Sequence, residues 1–298
     1  MLKFKVNIVN SIRKLYSKSY LSSQSLVEKH LSFLSLVQNE GDGEITVEIN
    51  KKYKVAILSI KNPSKRNSIS GRMMYQLAEH IDSMIFQKDF YLDVIGLIIR
   101  GDEYSFCSGA DLSLAKNTVN TPELGYKMSL FMSDALNRLR DDIPLISVSV
   151  LNGPAIGGGA EFATASDFRV MKSDSYIRFV HAKLGASPGW GGTSRLFSIV
   201  GRNQALKILG ASKKLDPVYC LNCKFIDEIV ETDKTCLDTG IEFLKPYLDQ
   251  KYFQSVRSIK IGVVAASKYD VHSANEIASL EFSKRWASPE NLNELNKS

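Results

Sequence analysis

The run Val94-Ile95-Gly96-Leu97-Ile98-Ile99 is apolar from end to end, and Leu145-Ile146-Ser147-Val148-Ser149-Val150 reads as a second buried strand. No other feature constrains the fold as strongly. A strand without polar alternation has no face to offer water, so both of its faces must be covered. The segment between them carries a helical pattern over 122–140. Strand, helix, strand in that order predicts an α/β core with a parallel sheet. Further strands are expected at 45–49, 55–60, 168–171 and 176–180, and helices at 26–37 and 71–87. The 71–87 helix rests on Met73, Met74, Leu77, Ile81, Met84 and Ile85, which fall on one face at helical spacing. Gly41-Asp42-Gly43 reads as a turn, and Asn62-Pro63-Ser64-Lys65 stops the second strand. From Gly191 onward the pattern is largely helical.

Charge narrows the function classes. The 298 residues carry a net charge of +6. Residues 1–30 hold Lys3, Lys5, Arg13, Lys14, Lys18 and Lys29 against Glu28 alone, so the remainder is nearly neutral. A nucleic-acid role loses most of its electrostatic basis. The leader is basic, Ser-rich and free of acids over its first 25 or so residues. That composition suits a mitochondrial transit peptide and, equally, a disordered cytosolic extension. No apolar run approaches the roughly 20 residues of a membrane span, so no membrane partner is expected.

Cys220-Leu221-Asn222-Cys223 has C-x-x-C spacing, but only Cys236 follows it and no histidine lies nearby. A closed zinc site needs four ligands, so no metal is expected. If Asp216-Pro217 opens a helix, the two thiols share one face and pack as small hydrophobes.

The chemistry concentrates in loops. After the 145–150 strand comes Asn152-Gly153-Pro154-Ala155-Ile156-Gly157-Gly158-Gly159-Ala160-Glu161, a glycine run leading into an apolar helix. Bare glycine backbone lets a ligand approach main-chain N–H groups at a helix start, and Glu161 stands two residues beyond the last glycine. A second small-residue loop, Phe106-Cys107-Ser108-Gly109-Ala110-Asp111-Leu112, follows the 94–99 strand. One amide from each loop, converging on one oxygen, is the geometry of an oxyanion hole. Neither loop continues as Gly-Lys-Ser/Thr, which argues against a P-loop. A dinucleotide fold would carry its glycines after the first strand instead.

Those two loops, with Ser166-Asp167 and Pro188-Gly189-Trp190-Gly191-Gly192-Thr193-Ser194-Arg195-Leu196, together resemble the enoyl-CoA hydratase/isomerase (crotonase) superfamily. The resemblance runs in order from about Ile45 to the C-terminus. It implies an α/β, crotonase-like ββα spiral core with a C-terminal helical region. The expected organisation is a basic extension and short helix over 1–40, the spiral core over 41–240, and a helical trimerisation region over 241–298. It also implies an acyl-CoA substrate, a homotrimer or hexamer, and no cofactor beyond the CoA moiety. Matched residue by residue, the backbone N–H groups of Ala110 and Gly158 take the oxyanion-hole positions. Lys65, Arg66, Asn67, Ser108, Gly109 and Asp111 match the CoA-holding loops. Lys65 and Arg66 are placed to reach phosphates, or else form an ordinary solvated basic loop. Pro188, Gly189 and Trp190 match the acyl pocket, where Trp190 either shapes the space around the α-substituent or packs as a core tryptophan under a turn.

A hydratase of this superfamily handles water with two glutamates. Glu161 matches the first, and His181 occupies the second position. Losing a general acid–base group costs about 10²–10⁴-fold, so hydration becomes inefficient. Decarboxylation of a 2-carboxyacyl-CoA needs no base to start it: CO₂ leaves, the thioester enolate is held by the amides, and one acid, Glu161 or His181, protonates it. Histidine also removes a negative charge that would repel the substrate carboxylate. Ile177-Arg178-Phe179-Val180-His181 and Asp167-Phe168-Arg169-Val170-Met171 resemble a decarboxylase branch of the superfamily. That branch acts on ethylmalonyl-CoA and, less well, methylmalonyl-CoA, as cytosolic metabolite repair. The resemblance favours the cytosol, with the mitochondrial matrix as the alternative from the leader. Gly189 departs from the bulkier residue, such as serine, that this branch commonly carries. A hydratase or isomerase using Glu161 alone, and a non-catalytic CoA- or RNA-binding relative, are the competing readings.

Overall fold

The apolar runs pair as one twisted sheet. A computed structural model describes residues 23–87, 90, 94–231, 233–249 and 251–297; most of the basic leader lies outside the described residues. Strands β1 (Glu44–Asn50) and β2 (Val55–Lys61) form an antiparallel hairpin. Strands β3 (Gly96–Arg100), β4 (Ile146–Leu151), β6 (Phe168–Lys172) and β8 (Glu228–Val230) follow, giving the order β1-β2-β3-β4-β6-β8. Every pairing after the first is parallel, and parallel neighbours require crossovers that place helices over the sheet.

Both faces are covered, as the unbroken hydrophobicity requires. Ala56, Leu58, Ile60, Leu97 and Ile99 enter the larger core beneath α1 (Ser23–Val37), α2 (Gly71–Phe86) and α4 (Pro122–Asp141). Their alternates Val55, Ile98, Val148, Val150 and Val170 pack on the other side with Cys236 and Leu244 of α8 (Cys236–Leu244). A period of two assigns successive side chains to opposite cores. The start of α2 is set by Ser70, whose hydroxyl accepts from the Met73 N–H (3.2 Å), an N-cap worth about 1 kcal/mol.

A second, thinner layer lies at the C-terminal ends of the sheet strands. Strands β5 (Ala155–Ile156) and β7 (Ile177–Arg178) pair in parallel, and single bridges Ile69–Ala110, Cys107–Ala155 and Ile177–Leu215 extend them. Each turn of the spiral therefore contributes one strand to the main sheet and one short extended segment to this layer. The site is built on that second layer.

Two expectations change, and one helix is broken. The strand expected at 176–180 pairs only at Ile177–Arg178, because Val180 adopts helical φ/ψ and opens a 3-10 turn, His181–Leu184. The C-terminal third contains β8, three residues flanked by polar sequence, too short to show a period. The helix α6 (Gly192–Ala211) is broken at Gly201 (φ 75°, ψ 169°). The expected 216–217 helix start is present as α7 (Pro217–Asn222), with Asp216 accepting from Tyr219 N–H, and Cys220 and Cys223 face the core as free thiols.

The chain ends in α9 (Phe253–Lys268), α10 (Val271–Arg285) and α11 (Pro289–Leu295). Lys260 of α9 is 5% exposed and ties this region to the core. Its Nζ donates to Leu145 O (2.6 Å) and to Asp167 Oδ2 (2.7 Å). Helices α9 and α10 leave Ile259, Val263, Leu280 and Phe282 exposed, with Trp286 just beyond the end of α10. Among the described residues no helix is long and apolar enough to cross a membrane.

Candidate active site

The 62–69 loop, the 105–111 loop and the glycine run are sewn into one platform. Ser108 N–H donates to Arg66 O (3.1 Å), Ser108 Oγ to Lys65 O (3.1 Å), and Ser105 Oγ to Arg66 O (3.1 Å). Asn67 is buried, with its Nδ2 donating to Ser105 O (2.8 Å) and its Oδ1 accepting from Asn62 N–H (2.9 Å). Its side chain is spent on the loop, which leaves only its backbone for a ligand. Lys65 Nζ meets Asp111 Oδ2 at 2.7 Å, and Asp111 also caps α3 (Leu112–Asn117) through Ser113 N–H (2.8 Å). Burial pushes the Asp111 carboxyl up, but Lys65 and Ser113 more than reverse this and hold it below the usual range. Arg66 is exposed.

The second seam joins the 107 loop to the glycine run. Phe106 and Cys107 N–H both donate to Pro154 O (3.2 and 3.3 Å), and Ile156 N–H donates to Cys107 O (2.9 Å). Gly109 (φ 96°) lies so close that a Cβ there would stand 3.0 Å from Gly158 N. The Ile69–Ala110 bridge uses Gly109 O and Asp111 N–H. In parallel pairing the intervening Ala110 N–H then points away from Ile69. Gly158 is the first residue of α5 (Gly158–Ala163), where an N–H has no intrahelical acceptor. The structure thus brings Ala110 and Gly158 together from loops some fifty residues apart, each with its N–H outside the hydrogen bonds that hold the loops.

Glu161 lies one helical turn below Gly158 and is 1% exposed. Its Oε2 accepts from Trp190 N–H and Gly192 N–H, both at 2.8 Å. Its Oε1 accepts from Gly189 N–H (3.2 Å) and stands 3.0 Å from His181 Nε2. The segment 188–192 therefore closes over the carboxylate, and Gly192 is required because a Cβ there would stand 2.4 Å from Glu161 Cγ. The His181 side chain is 13% exposed, and its Nδ1 is buried without a hydrogen-bond partner among the described residues.

Trp190 is a core tryptophan that packs over Gly158. It is 3% exposed, and its six-membered ring lies where a Cβ on Gly158 would stand. Pro188 and Gly189 are half-buried. At Gly189 a Cβ would meet only Ser129 of α4, at 3.8 Å, so a side chain would fit there.

Arg195 escaped the sequence reading as a site residue. It is 1% exposed. Its Nε donates to Thr164 Oγ1 (2.8 Å), Nη1 to Asn137 Oδ1 (2.8 Å), and Nη2 to Trp190 O (2.5 Å) and Glu161 O (3.3 Å). Burial lowers its pKa to about 10, against the opposing pull of Glu161, so it keeps its charge at neutral pH. A guanidinium holding both Glu161 and the 190 turn fixes the geometry of each. The available signal was an arginine within an otherwise small and apolar motif.

Fold and site define a crotonase, and the comparisons agree. The enoyl-CoA hydratase/isomerase family profile matches residues 50–284, and the chain belongs to that family. The chain is 39% identical over 251 residues to ethylmalonyl-CoA decarboxylase of Mus musculus, covering 84% of this chain and 76% of that protein. It is 38% identical over 245 residues to ethylmalonyl-CoA decarboxylase of Homo sapiens, covering 82% and 78%. The crystal structure of an enoyl-CoA hydratase from Bacillus anthracis superposes with a TM-score of 0.75 at 20% identity, covering 85% of this chain and 94% of that one; this likeness speaks to the fold.

Proposed function

We propose that this chain decarboxylates 2-alkylmalonyl-CoA thioesters, converting ethylmalonyl-CoA to butyryl-CoA and methylmalonyl-CoA less well. The amides of Ala110 and Gly158 hold the thioester oxygen. The substrate's own carboxylate leaves as CO₂, and its bonding pair becomes the enolate that those amides stabilise. The Glu161–His181 pair supplies one acid beside the α-carbon. The electrons come from the substrate, so the reaction needs no cofactor beyond the CoA moiety. Lys65, Arg66, Ser108, Gly109 and Asp111 belong to the face expected to take the CoA chain, with Pro188, Gly189 and Trp190 around the acyl group.

One observation carries the reading: an imidazole, not a second carboxylate, contacts Glu161 (3.0 Å). A hydratase needs two carboxylates to position water, and this site has one, already occupied by three backbone N–H groups. The names of the Mus musculus and Homo sapiens relatives support the same reading. Cytosolic metabolite repair fits an enzyme that disposes of a carboxylated side product. The exposed apolar face of α9 and α10 suits a homotrimer or hexamer. The test is a panel of CoA thioesters with purified protein. CO₂ release from ethylmalonyl-CoA is expected, and hydration of crotonyl-CoA at a comparable or higher rate without decarboxylation would overturn the proposal.

A further inference from the structure

We propose that His181 delivers the proton to the α-carbon through Nδ1, and that Glu161 is a positioning residue that never gives up a proton. The inference rests on the decarboxylase reading above and divides the labour within the Glu161–His181 pair.

Glu161 comes first. A carboxylate offers about four lone-pair positions. Trp190 and Gly192 N–H fill those of Oε2, and Gly189 N–H and His181 Nε2 fill those of Oε1. Backbone N–H groups cannot turn round to accept, so a protonated carboxyl would have to aim its O–H at a donor. The one adaptable neighbour is the imidazole, and the three fixed N–H donors together with the buried Arg195 guanidinium favour the anion. Glu161 is therefore an acceptor only.

The tautomer of His181 follows. Facing that anion, Nε2 must carry its hydrogen and donate it to Oε1. The other nitrogen, Nδ1, is buried and has no partner among the described residues. An unsatisfied buried polar atom costs about 1–3 kcal/mol and calls for an explanation. The explanation is a substrate-facing role. An acid that fixes one ring nitrogen while the other handles the proton is the logic of the Asp–His pair in acyl transfer, here with the two nitrogens exchanged. Placement agrees: His181 follows β7, whose Arg178 O accepts from Gly157 N–H (2.9 Å), and Val180 Cγ1 stands 3.4 Å from where a Cβ on Gly157 would be. The backbone that carries the imidazole is thus fixed against Gly157, the residue before Gly158.

The step balances. The carboxylate C–C bond breaks, CO₂ departs, and the pair becomes the enolate. The enolate carbon then takes the Nδ1 proton of the imidazolium, a C–H bond forms, and the N–H pair stays on nitrogen. Nδ1, bare in the resting enzyme, takes that proton from solvent before each turnover, and the imidazole is neutral again once it has delivered it.

The experiment is turnover of ethylmalonyl-CoA in D₂O, with the configuration of the α-deuterium in butyryl-CoA read by NMR. Wild type should give one configuration. His181→Gln should release CO₂ more slowly and place deuterium on both faces equally. Glu161→Gln should keep one configuration while kcat falls by about 10²-fold or more. A single configuration from His181→Gln, or scrambling by Glu161→Gln, would overturn the inference and leave the decarboxylase reading standing. Failure of wild type to release CO₂ would overturn both. A second measurement does not depend on folded variants at the site: ¹⁵N-imidazole NMR of the resting enzyme, assigned by replacing His30, His80 and His272 in turn. Hydrogen on Nε2, whether Nδ1 is bare or also protonated, supports the inference; hydrogen on Nδ1 alone overturns it.

Discussion

Gly158→Ala tests the packing that builds the site. Gly158 is the first residue of α5 and has no positive φ, so alanine is allowed by the backbone. As a helical residue alanine would even gain about 1 kcal/mol over glycine. Space decides the outcome. The new Cβ would stand 2.6, 2.8 and 2.9 Å from Cζ3, Cε3 and Cη2 of Trp190, where carbon contacts are comfortable at about 3.5–4.0 Å. The ring must retreat by about 1 Å, yet it is packed within the larger core. Overpacking of this kind costs about 1–3 kcal/mol, which lowers Tm by a few degrees in a chain this size. The Trp190 N–H donates to Glu161, so the retreat drags the lid of the carboxylate, and a misplacement of about 1 Å is worth about 10²-fold in kcat/KM. Calorimetry and CO₂-release kinetics read both effects. Trp190→Leu in the same chain should lose less stability than the sum of the single changes, because it removes the ring that the new methyl strikes. Gly125→Ala is the control: it lies in α4 with nothing within 4 Å of a new Cβ and should stabilise by about 1 kcal/mol. An unchanged Tm and kcat/KM for Gly158→Ala would refute the placement of Trp190 over the glycine.

His181→Glu sets a second carboxylate against Glu161; CO₂ release from ethylmalonyl-CoA should fall by about 10²-fold or more, while crotonyl-CoA hydration rises above the wild-type rate. His30 is 1% exposed on α1, and burial lowers its pKa to about 4 from 6.5, with the Leu130 carbonyl opposing and Arg138 assisting. Below pH 6.5 the unfolded chain binds a proton that the folded one refuses, so stability is full above about 6.5 and falls by up to roughly 3 kcal/mol as pH drops to about 4. Urea unfolding across that range should lose this component in His30→Gln. Lys260→Met strips a buried ammonium from Leu145 O and Asp167. Breaking a buried pair costs about 3–5 kcal/mol, and the lower end is expected because Asp167 keeps two bonds from Ser147; thermal denaturation checks it.

The layers of this molecule were legible where burial leaves a periodic trace. Val94 to Ile99 had to be covered on both faces, and Leu97 and Ile98 do enter opposite cores. The loops were legible because small residues mark close approach: Gly109, Gly158 and Gly192 each stand where a side chain would strike another segment. What escaped depends on contacts with no period. The three residues of β8 gain their partner from β6, 58 positions away in register (Val170 with Glu228), and nothing local announces it. The strand expected at 176–180 stops early, since the turn that begins at Val180 is what brings His181 back to Glu161. Arg195 was not singled out in the sequence, because a charge has no visible role in a glycine-rich turn until its acceptors are known. Those acceptors are Thr164, Asn137 and two backbone carbonyls, from three separate stretches of chain. The same blindness applies to Asn67: its side chain has the chemistry to hold a ligand, and only the positions of Ser105 and Asn62 reveal that the loop has already taken it. Residue type therefore located the site, and the allotment of hydrogen bonds within it separates groups that hold the scaffold from groups still free for substrate.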